Sequence, residues 1–412
     1  MKNKLSCLAA SVVLLAACGS ESETGKDAAV VDLGAEAQRI AQNSIIIDTH
    51  VDVPYRLQAK PTDLSQRIDD GDFDYLRAVD GGLNVPFMSI YTPAKHEAEG
   101  ISKETADGLI DIVEEMVAAA PEKFAIATTV ADVRRQFEAG LMSLPMGMEN
   151  GSPIEGDMAN LQHFFDRGIR YVTPAHSLSN HLSDSSYDDN RQWQGLSDFG
   201  KDAIREMNRL GIMVDVSHVS DDAFWQIMEI SAAPVIASHS SARHFTPDFE
   251  RNMSDEMIVA LARNGGVIQI NFGSTFINQE SHDYGIARMA AGKQYLAEHP
   301  EVTESFLYRE FGEIYAKDHG PMIYASLDDV LDHFDHVVGL VGVDHVGFGS
   351  DFDGVGDSLP VGLKDVSAYP NLVEGLLRRG YSEDDVRKIL GENLLRVWEA
   401  AEAYAATTSS ST

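Results

Sequence analysis

The feature of the sequence that most constrains the fold is a repeated alternation of short apolar segments with segments of helical length. Each apolar segment is rich in β-forming residues and continuously apolar, which is typical of strands buried on both faces of a parallel sheet. The eight segments are Ile45–Ile47, Leu83–Tyr91, Leu144–Met148, Arg170–Pro174, Ile212–Val216, Pro234–Ala237, Gly266–Asn271 and Val346–Gly349. They predict an α/β fold, a (β/α)8 TIM-like barrel, and the alternative is a doubly wound open sheet.

The length of 412 residues is compatible with one large domain of this kind. We place this single domain at residues 38–404 and predict that the tail, residues 405–412, is disordered. A long segment, about 278–328, separates the seventh strand from the next helix. We interpret it as an insertion after strand 7 that covers the barrel or forms a subunit contact, and in the second case the protein would be a homodimer.

The first residues are typical of a targeting segment rather than of a fold. Two lysines precede an apolar stretch that is too short to span a membrane, and small residues then precede Cys18. This arrangement resembles the lipobox of bacterial lipoproteins, in which the cysteine is acylated and becomes the mature N-terminus. We therefore predict a signal peptide over 1–17, a lipidated Cys18 that begins a flexible tether over 18–37, and a location in the bacterial cell envelope. The alternative is a plain secretory signal.

The charge of the chain excludes one class of partner. The sequence has 65 acidic and 32 basic residues, for a formal net charge of −33. Such an excess argues against nucleic-acid binding and against electrostatic docking on anionic lipid. We therefore expect membrane contact only through the lipid anchor.

The cysteine content restricts the possible metal ligands. Cys7 lies in the predicted leader, so that Cys18 is the only cysteine expected in the mature chain. A thiolate metal site within the domain is then excluded, and any bound metal must be held by His, Asp and Glu.

Potential ligands follow six of the eight predicted strands. The carboxyl ends of all strands in a (β/α)8 barrel open onto one face, where active sites form. At those ends the sequence has His50 with Asp52, Glu149, His176, His218, His239 and Asp351. Six such coincidences favour a metal centre over isolated structural histidines.

The number of candidate ligands indicates more than one metal ion. His50 and Asp52, at i and i+2, leave a strand on the same side and can reach one cation. Histidine and carboxylate ligands suit zinc or another borderline divalent metal. Three histidines and two carboxylates exceed what one catalytic zinc takes, whereas two metals that share a bridging carboxylate use them all.

The sequence resembles the membrane (renal) dipeptidases, which are zinc dipeptidases with amidohydrolase-like barrels. The resemblance runs from about Ile45 to Glu402. The matching motifs are DTHVDVPY at Asp48, MGMENG at Met146, YVTPAHS at Tyr171, DVSHVS at Asp215, PVIASHSSA at Pro234, HVGFGSDFDGV at His345 and the terminal ENLLRVWEA.

The resemblance implies a role for each candidate residue. His50 and Asp52 would bind one zinc ion, His218 and His239 would bind a second, and Glu149 would bridge the two. His176 would contact the substrate and stabilise the oxyanion, Arg251 would hold the substrate carboxylate, and Asp351 would transfer the proton. The loop that contains Arg251 is about one residue longer than is usual in the family, so Arg243 remains an alternative carboxylate ligand.

The resemblance also implies an activity, the hydrolysis of dipeptides with tolerance for a D-residue at the C-terminal position. Two alternatives remain open, because one barrel supports many chemistries. One is another amidohydrolase activity, such as hydrolysis of N-acyl amino acids or lactones. The other is a lipid-anchored protein that binds metal or peptide without turnover, although such a binder has no need of a base at Asp351.

Overall fold

The computed structural model describes residues 32–302 and 310–409. The predicted signal peptide and Cys18 lie outside these residues. The strands of the described part are β1 (Ile47–Val51), β2 (Val85–Tyr91), β3 (Phe124–Ile126), β4 (Met142–Leu144), β5 (Met146–Glu149), β6 (Ile169–Thr173), β7 (Met213–Val214), β8 (Ile236–Ala237), β9 (Val267–Ile270) and β10 (Val346–Phe348).

Eight of these strands form a ring of parallel neighbours. Hydrogen bonds connect β1, β2, β5, β6 and β7 in that order, and a second sheet has the order β10, β9, β8. Single parallel bridges join the two sheets at both junctions, between Asp215 and Ile236 and between Val51 and Phe352. The ring is therefore complete, and it confirms the predicted TIM-like barrel over the open-sheet alternative.

Helices follow the strands around this ring. They are α1 (Leu33–Gln42), α2 (Val53–Ala59), α3 (Tyr75–Gly81), α4 (Lys95–Glu99), α5 (Ser102–Ala119), α6 (Val130–Glu138), α7 (Ala159–Asp166), α8 (Asp198–Leu210), α9 (Asp221–Ile230), α10 (Asp255–Arg263), α11 (Ser274–Ile277), α12 (Gln279–Glu298), α13 (Phe311–His319), α14 (Leu327–Val341), α15 (Tyr369–Arg378), α16 (Glu383–Arg387) and α17 (Asn393–Ser409). Among these residues, no helix is both long enough and apolar enough to cross a membrane.

Serine N-caps determine where many of these helices begin. The serines that precede α8, α9, α10, α14 and α16 each accept a hydrogen bond from the backbone N–H three residues later. This bond satisfies a donor that the first turn of a helix leaves free. The caps thus fix the points at which the loops after the strands end and the outer helices start.

The last helix closes the end of the barrel at which the strands begin. Trp398 of α17 is fully buried and lies 5.4 Å, between ring centroids, from Phe87 of β2. Phe87 in turn lies 5.5 Å from Tyr171 of β6. Packed side chains therefore fill this end, and the opposite end, where the strands finish, is left for the functional groups.

The structure corrects several predicted boundaries. The first strand runs over Ile47–Val51 and not Ile45–Ile47, so that His50 lies within it and not after it. The predicted third strand is divided into β4 and β5, and β4 pairs with β3, which the sequence pattern did not predict. Helix α1 begins at Leu33, within the predicted tether, and α17 continues to Ser409, within the predicted disordered tail. Amphipathic packing explains the first extension, because Ala37, Ile40 and Ala41 of α1 are buried against the domain.

The predicted insertion contains α12 and α13, which pack on each other through aromatic side chains. Tyr284 and Tyr315 form one edge-on pair at 5.4 Å, and Tyr295 lies 5.4 Å from Phe311. At the start of the insertion, the ring of His282 packs 4.3 Å from that of Phe249, in the loop that carries Arg251. The insertion thus begins beside that loop.

Candidate metal centre

The predicted ligands converge at the mouth of the barrel, although they are far apart in the sequence. His50 lies in β1, and Asp52 follows this strand directly. Glu149 is the last residue of β5, while His218 and His239 lie in the loops after β7 and β8. All five side chains are buried. Parallel strands with a common direction therefore bring five potential ligands to one point.

Glu149 is the centre of this arrangement, because its two carboxylate oxygens face different partners. Oε1 lies 3.0 Å from His218 Nε2 and 3.2 Å from His239 Nε2. Oε2 lies on the other side, 3.4 Å from His50 Nε2. The latter nitrogen is also 3.5 Å from Asp52 Oδ2. The two oxygens of one carboxylate thus face two sets of donors, which lie close to each other because the rings of His50 and His239 stack with centroids 3.7 Å apart.

The donor atoms fit a metal rather than a set of internal hydrogen bonds. His50 Nε2 is buried and has no hydrogen-bond partner among the described residues. The Nε2 atoms of His218 and His239 lie only 2.8 Å apart. Buried polar atoms are almost always satisfied, so a lone pair that faces carboxylates without a donor indicates a bound cation.

Hydrogen bonds behind two histidines orient their free nitrogens toward this centre. Tyr171 Oη donates to the carbonyl of Thr49 (3.1 Å) and lies 2.9 Å from His50 Nδ1. Because the hydroxyl hydrogen is used, Nδ1 of His50 is the donor and its Nε2 carries the lone pair. Such contacts fix the tautomer and the orientation of metal-binding histidines.

A similar arrangement of hydrogen bonds orients His239. Ser238 Oγ donates to Asp215 Oδ2 (2.6 Å) and lies 2.7 Å from His239 Nδ1. Asp215 is fully buried and also accepts a hydrogen bond from the hydroxyl of Thr173 (2.5 Å). The Nδ1 atom of His239 is therefore its protonated nitrogen, and Nε2 is available as a ligand atom.

The electrostatic environment keeps two of the histidines neutral. Burial, followed by the nearby positive charge of Arg251, holds the pKa of His218 well below its usual value. Burial, followed by His50 and Arg251, does the same to the pKa of His239. Burial also opposes protonation of His50, but Tyr171, Glu149 and Asp52 raise the pKa of His50 well above its usual value. The charges that attract a proton to His50 would equally attract a metal cation.

Asp351 lies beside the centre but has a different environment. It follows β10, and its Oδ2 accepts a hydrogen bond from the Asn271 side chain (2.8 Å). Burial and then the charge of Asp52 raise the pKa of Asp351 to about 7. Gly354 makes room for both carboxylates, because a Cβ there would lie 2.1 Å from Asp52 Oδ2 and 2.3 Å from Asp351 Oδ1.

Two of the predicted site residues adopt a strained backbone conformation. His218 has φ of 67° and Asp351 has φ of 64°, in the left-handed region that non-glycine residues rarely occupy. Such strain is stored at functional sites when the surrounding structure enforces it. Here both residues lie at the mouth, in the loops after β7 and β10.

The two residues expected to contact a substrate also lie at the mouth. His176 Nε2 is 3.5 Å from Glu149 Oε1, and burial lowers the pKa of His176. Arg251 is buried and its Nη2 lies 3.0 Å from His218 Nε2. Arg243, the alternative to Arg251, instead forms a two-point ion pair with Asp221 (2.6 and 2.8 Å). The structure thus brings Arg251, and not Arg243, to the metal-ligand cluster.

Several residues of the site were not predicted individually. Tyr171 and Asn271 contact predicted site residues, and Asp215 holds Ser238, which contacts His239. Each of the three resembles an ordinary strand or loop residue in the sequence. The signal that could have identified these residues in the sequence was their position relative to the predicted strands. Tyr171 alternates with Thr173 along β6, and Asn271 directly follows β9 in the same way that ligands follow other strands.

We predict that Tyr171→Phe weakens metal binding by about 10- to 100-fold, because loss of the hydroxyl frees the tautomer and ring of His50. Competition with a chelator measures this affinity. Tyr284→Phe is the matched control, since it removes a hydroxyl that donates to the Gly320 carbonyl in the insertion. Equal metal affinity in the Tyr171→Phe variant and the wild type would contradict the proposed orientation of His50.

Comparisons with known proteins agree with this geometry. The sequence model of the membrane dipeptidase family, peptidase family M19, matches residues 34–412. An uncharacterized dipeptidase of Schizosaccharomyces pombe is 31% identical over 375 residues, which cover 87% of this chain and 81% of that protein.

Solved structures of dipeptidases have the same fold. The probable dipeptidase PvdM from Pseudomonas aeruginosa is similar with a TM-score of 0.78 and 27% identity, over 90% of this chain and 99% of that one. A metallopeptidase from Rhodobacter sphaeroides, liganded with a phosphinate mimic of the dipeptide L-Ala-D-Ala, has a TM-score of 0.71 and 26% identity, over 87% and 100% of the two chains. The chain therefore belongs to the membrane dipeptidase family, peptidase family M19, and is a metal-dependent dipeptidase.

Proposed function

We propose that this dipeptidase uses two zinc ions bridged by Glu149 and accepts dipeptides with either an L- or a D-residue at the C-terminal position. The observation that supports a binuclear centre is the division of the Glu149 carboxylate between two sets of donors. His50 and Asp52 would hold one ion, and His218 and His239 would hold the other. Histidine and carboxylate ligands without thiolates suit zinc.

When bound, the two ions would supply Lewis acidity and lower the pKa of a water molecule at the site. The chain itself supplies the proton transfers. Asp351 is the group best suited to accept a proton from the attacking water and to return it to the leaving amine. Its pKa of about 7 lies near neutral pH, where a general acid–base group is most effective.

His176 and Asn271 support this chemistry in different ways. The His176 ring lies beside the ligand cluster, at 4.3 Å from the ring of His218, where it can donate to the developing oxyanion of the peptide. Asn271 donates to Asp351 Oδ2 and holds this carboxylate at the mouth. The second oxygen of Asp351 then remains available for the proton.

We propose that Arg251 binds the C-terminal carboxylate of the dipeptide. A guanidinium binds a carboxylate through two parallel hydrogen bonds, and this requirement selects peptides whose carboxylate follows the scissile bond closely. Ser240 Oγ (2.7 Å) and the His239 carbonyl (2.7 Å) hold the guanidinium in place. The Nε atom of Arg251 is buried without a partner among the described residues and supplies a further donor.

Tolerance for a D-residue is supported by one of the similar structures. The Rhodobacter sphaeroides metallopeptidase was solved with a phosphinate mimic of L-Ala-D-Ala. Parallel assays of L-Ala-D-Ala and L-Ala-L-Ala would test whether this chain shares that tolerance. The family match over residues 34–412 favours dipeptide hydrolysis over other amidohydrolase activities and over metal binding without turnover.

We predict that Asp351→Asn lowers kcat by about 10²- to 10⁴-fold, because the amide keeps the shape of the side chain and loses its basicity. Bound metal and KM should change little. Steady-state kinetics and metal analysis of the same sample measure these effects. Asp357→Asn, in the same loop, is the control and should retain wild-type kcat. Normal kcat in the metal-loaded Asp351→Asn variant would remove Asp351 from the mechanism.

We predict that Arg251→Lys raises KM for a dipeptide by about 10- to 100-fold, because lysine keeps the charge but cannot form the two-point contact. The wild type should also hydrolyse a dipeptide far faster than its C-terminal amide. Arg243→Lys is the matched control and should preserve this preference for the free acid. Equal turnover of acid and amide by the wild type would contradict carboxylate recognition.

We further propose that the protein is a lipoprotein of the bacterial cell envelope, anchored through Cys18. Changing Cys18 to Ser should release soluble protein or leave the leader uncleaved, because the acylated residue is absent. Membrane fractionation and mass spectrometry measure this outcome. Cys7→Ser, within the predicted leader, is the control and should leave the anchor intact. Unchanged mass and membrane attachment of the Cys18→Ser variant would exclude the lipid anchor.

A further inference from the structure

A second group of potential metal ligands lies near the surface, outside the catalytic cluster. It consists of His244, Asp255 and His336, and one ligand atom from each lies within 4.8 Å of the others. His336 Nε2 is 2.7 Å from Asp255 Oδ1. The rings of His244 and His336 stack with centroids 4.4 Å apart. Three side chains from three separate elements thus converge on one point.

Hydrogen bonds fix the element that carries His244 relative to the helix that carries His336. His244 lies in a short 3₁₀ turn (Arg243–Phe245), and His336 lies on α14. One turn earlier on α14, the buried His333 accepts a hydrogen bond from the Ala242 N–H (3.0 Å) and donates to the Ile277 carbonyl (2.8 Å). His333 therefore has no free nitrogen for a metal, but it fixes the turn against the helix.

The donor chemistry of this group suits a borderline divalent cation. Two imidazoles and one carboxylate form a common ligand set for zinc, and solvent can supply the fourth position. Ligand atoms around a tetrahedral zinc are separated by roughly 3.3 Å, given metal–ligand bonds of about 2.0–2.1 Å. His244 is exposed and neither of its ring nitrogens has a hydrogen-bond partner in the described part of the chain, so rotation of this side chain can close the remaining gap.

A metal at this group would also affect the catalytic centre, because two of the three ligands flank a segment of the active site in the sequence. His244 and Asp255 lie on either side of the segment that contains Arg251. A backbone hydrogen bond from Arg243 to Met253 (2.8 Å) already joins the two ends of this segment. A metal bound to His244 and Asp255 would add a second cross-link there, and its bond to His336 would attach this cross-link to α14. A cross-link of this kind removes conformational freedom from the enclosed loop.

We propose that His244, Asp255 and His336 form a peripheral binding site for one divalent transition-metal ion of the zinc type, which restrains the Arg251 segment. Metal binding here is independent of the proposed function, whereas the consequence for substrate binding rests on the proposed role of Arg251. Both parts can be tested on the intact enzyme with its resident metal in place.

The experiment is a calorimetric titration of the isolated holoenzyme with Zn²⁺ after removal of free metal. The wild type should bind one more Zn²⁺ per chain than His244→Ala or His336→Gln, and each variant should lose at least about tenfold in affinity for that ion. His163→Ala is the matched control, because His163 also pairs with an aspartate, Asp107 at 2.7 Å, and should retain the additional ion. The exposed position of His244 makes its substitution compatible with folding.

Amide hydrogen exchange provides the second readout. Added Zn²⁺ should slow exchange in residues 245–254 of the wild type and leave this segment unchanged in His244→Ala. Equal Zn²⁺ stoichiometry in the wild type and both variants would overturn the site, and binding without slower exchange would overturn the restraint. If the two-metal catalytic centre is wrong, the number of resident ions changes, but the difference of one ion between the wild type and His244→Ala remains.

Discussion

The structure of the active end of the barrel depends on one buried carboxylate, that of Glu149, and on the histidines that surround it. Isolating an ionised carboxylate from water costs several kcal/mol unless it is paired. Burial opposes ionisation of Glu149, but His50, His176, His218 and His239 together hold its pKa well below the usual value. These four histidines come from four different strands or the loops after them, so the barrel must be closed before they can surround Glu149.

Closure of the barrel also explains why the hydrogen bonds that orient the candidate ligand histidines are buried. Tyr171 fixes His50 from β6, while Ser238 and Asp215 fix His239 from β8 and the end of β7. Asp48 of β1 accepts a hydrogen bond from the Ser350 N–H (2.8 Å) after β10, at the junction where the ring closes. The hydrogen bonds that orient the ligands therefore lie next to those that close the barrel. A substitution that disturbs one set is expected to affect the other.

The sequence was sufficient to predict the barrel and to place the candidate ligands together at one end of it, for a definite physical reason. Strands buried on both faces must be continuously apolar, and ligands that act together must lie at the same end of those strands, so His50, Glu149 and His239 could be identified by position. The contribution of Tyr171 could not, because a tyrosine in a strand is an ordinary core residue until the direction of its hydroxyl is known. The choice of Arg251 over Arg243 likewise required the ion pair between Arg243 and Asp221. The short β3 and β4 and the ends of α1 and α17 depend on tertiary packing, which local patterns do not encode.

The central claim is that Glu149 lies between two metal ions. Anomalous diffraction from crystals of the holoenzyme at the zinc edge, together with metal analysis of the same preparation, tests it most directly. The account predicts two anomalous peaks per active site, about 3.5–4 Å apart, with one Glu149 oxygen directed at each. A single catalytic peak in fully active enzyme, or two peaks without Glu149 between them, would contradict it.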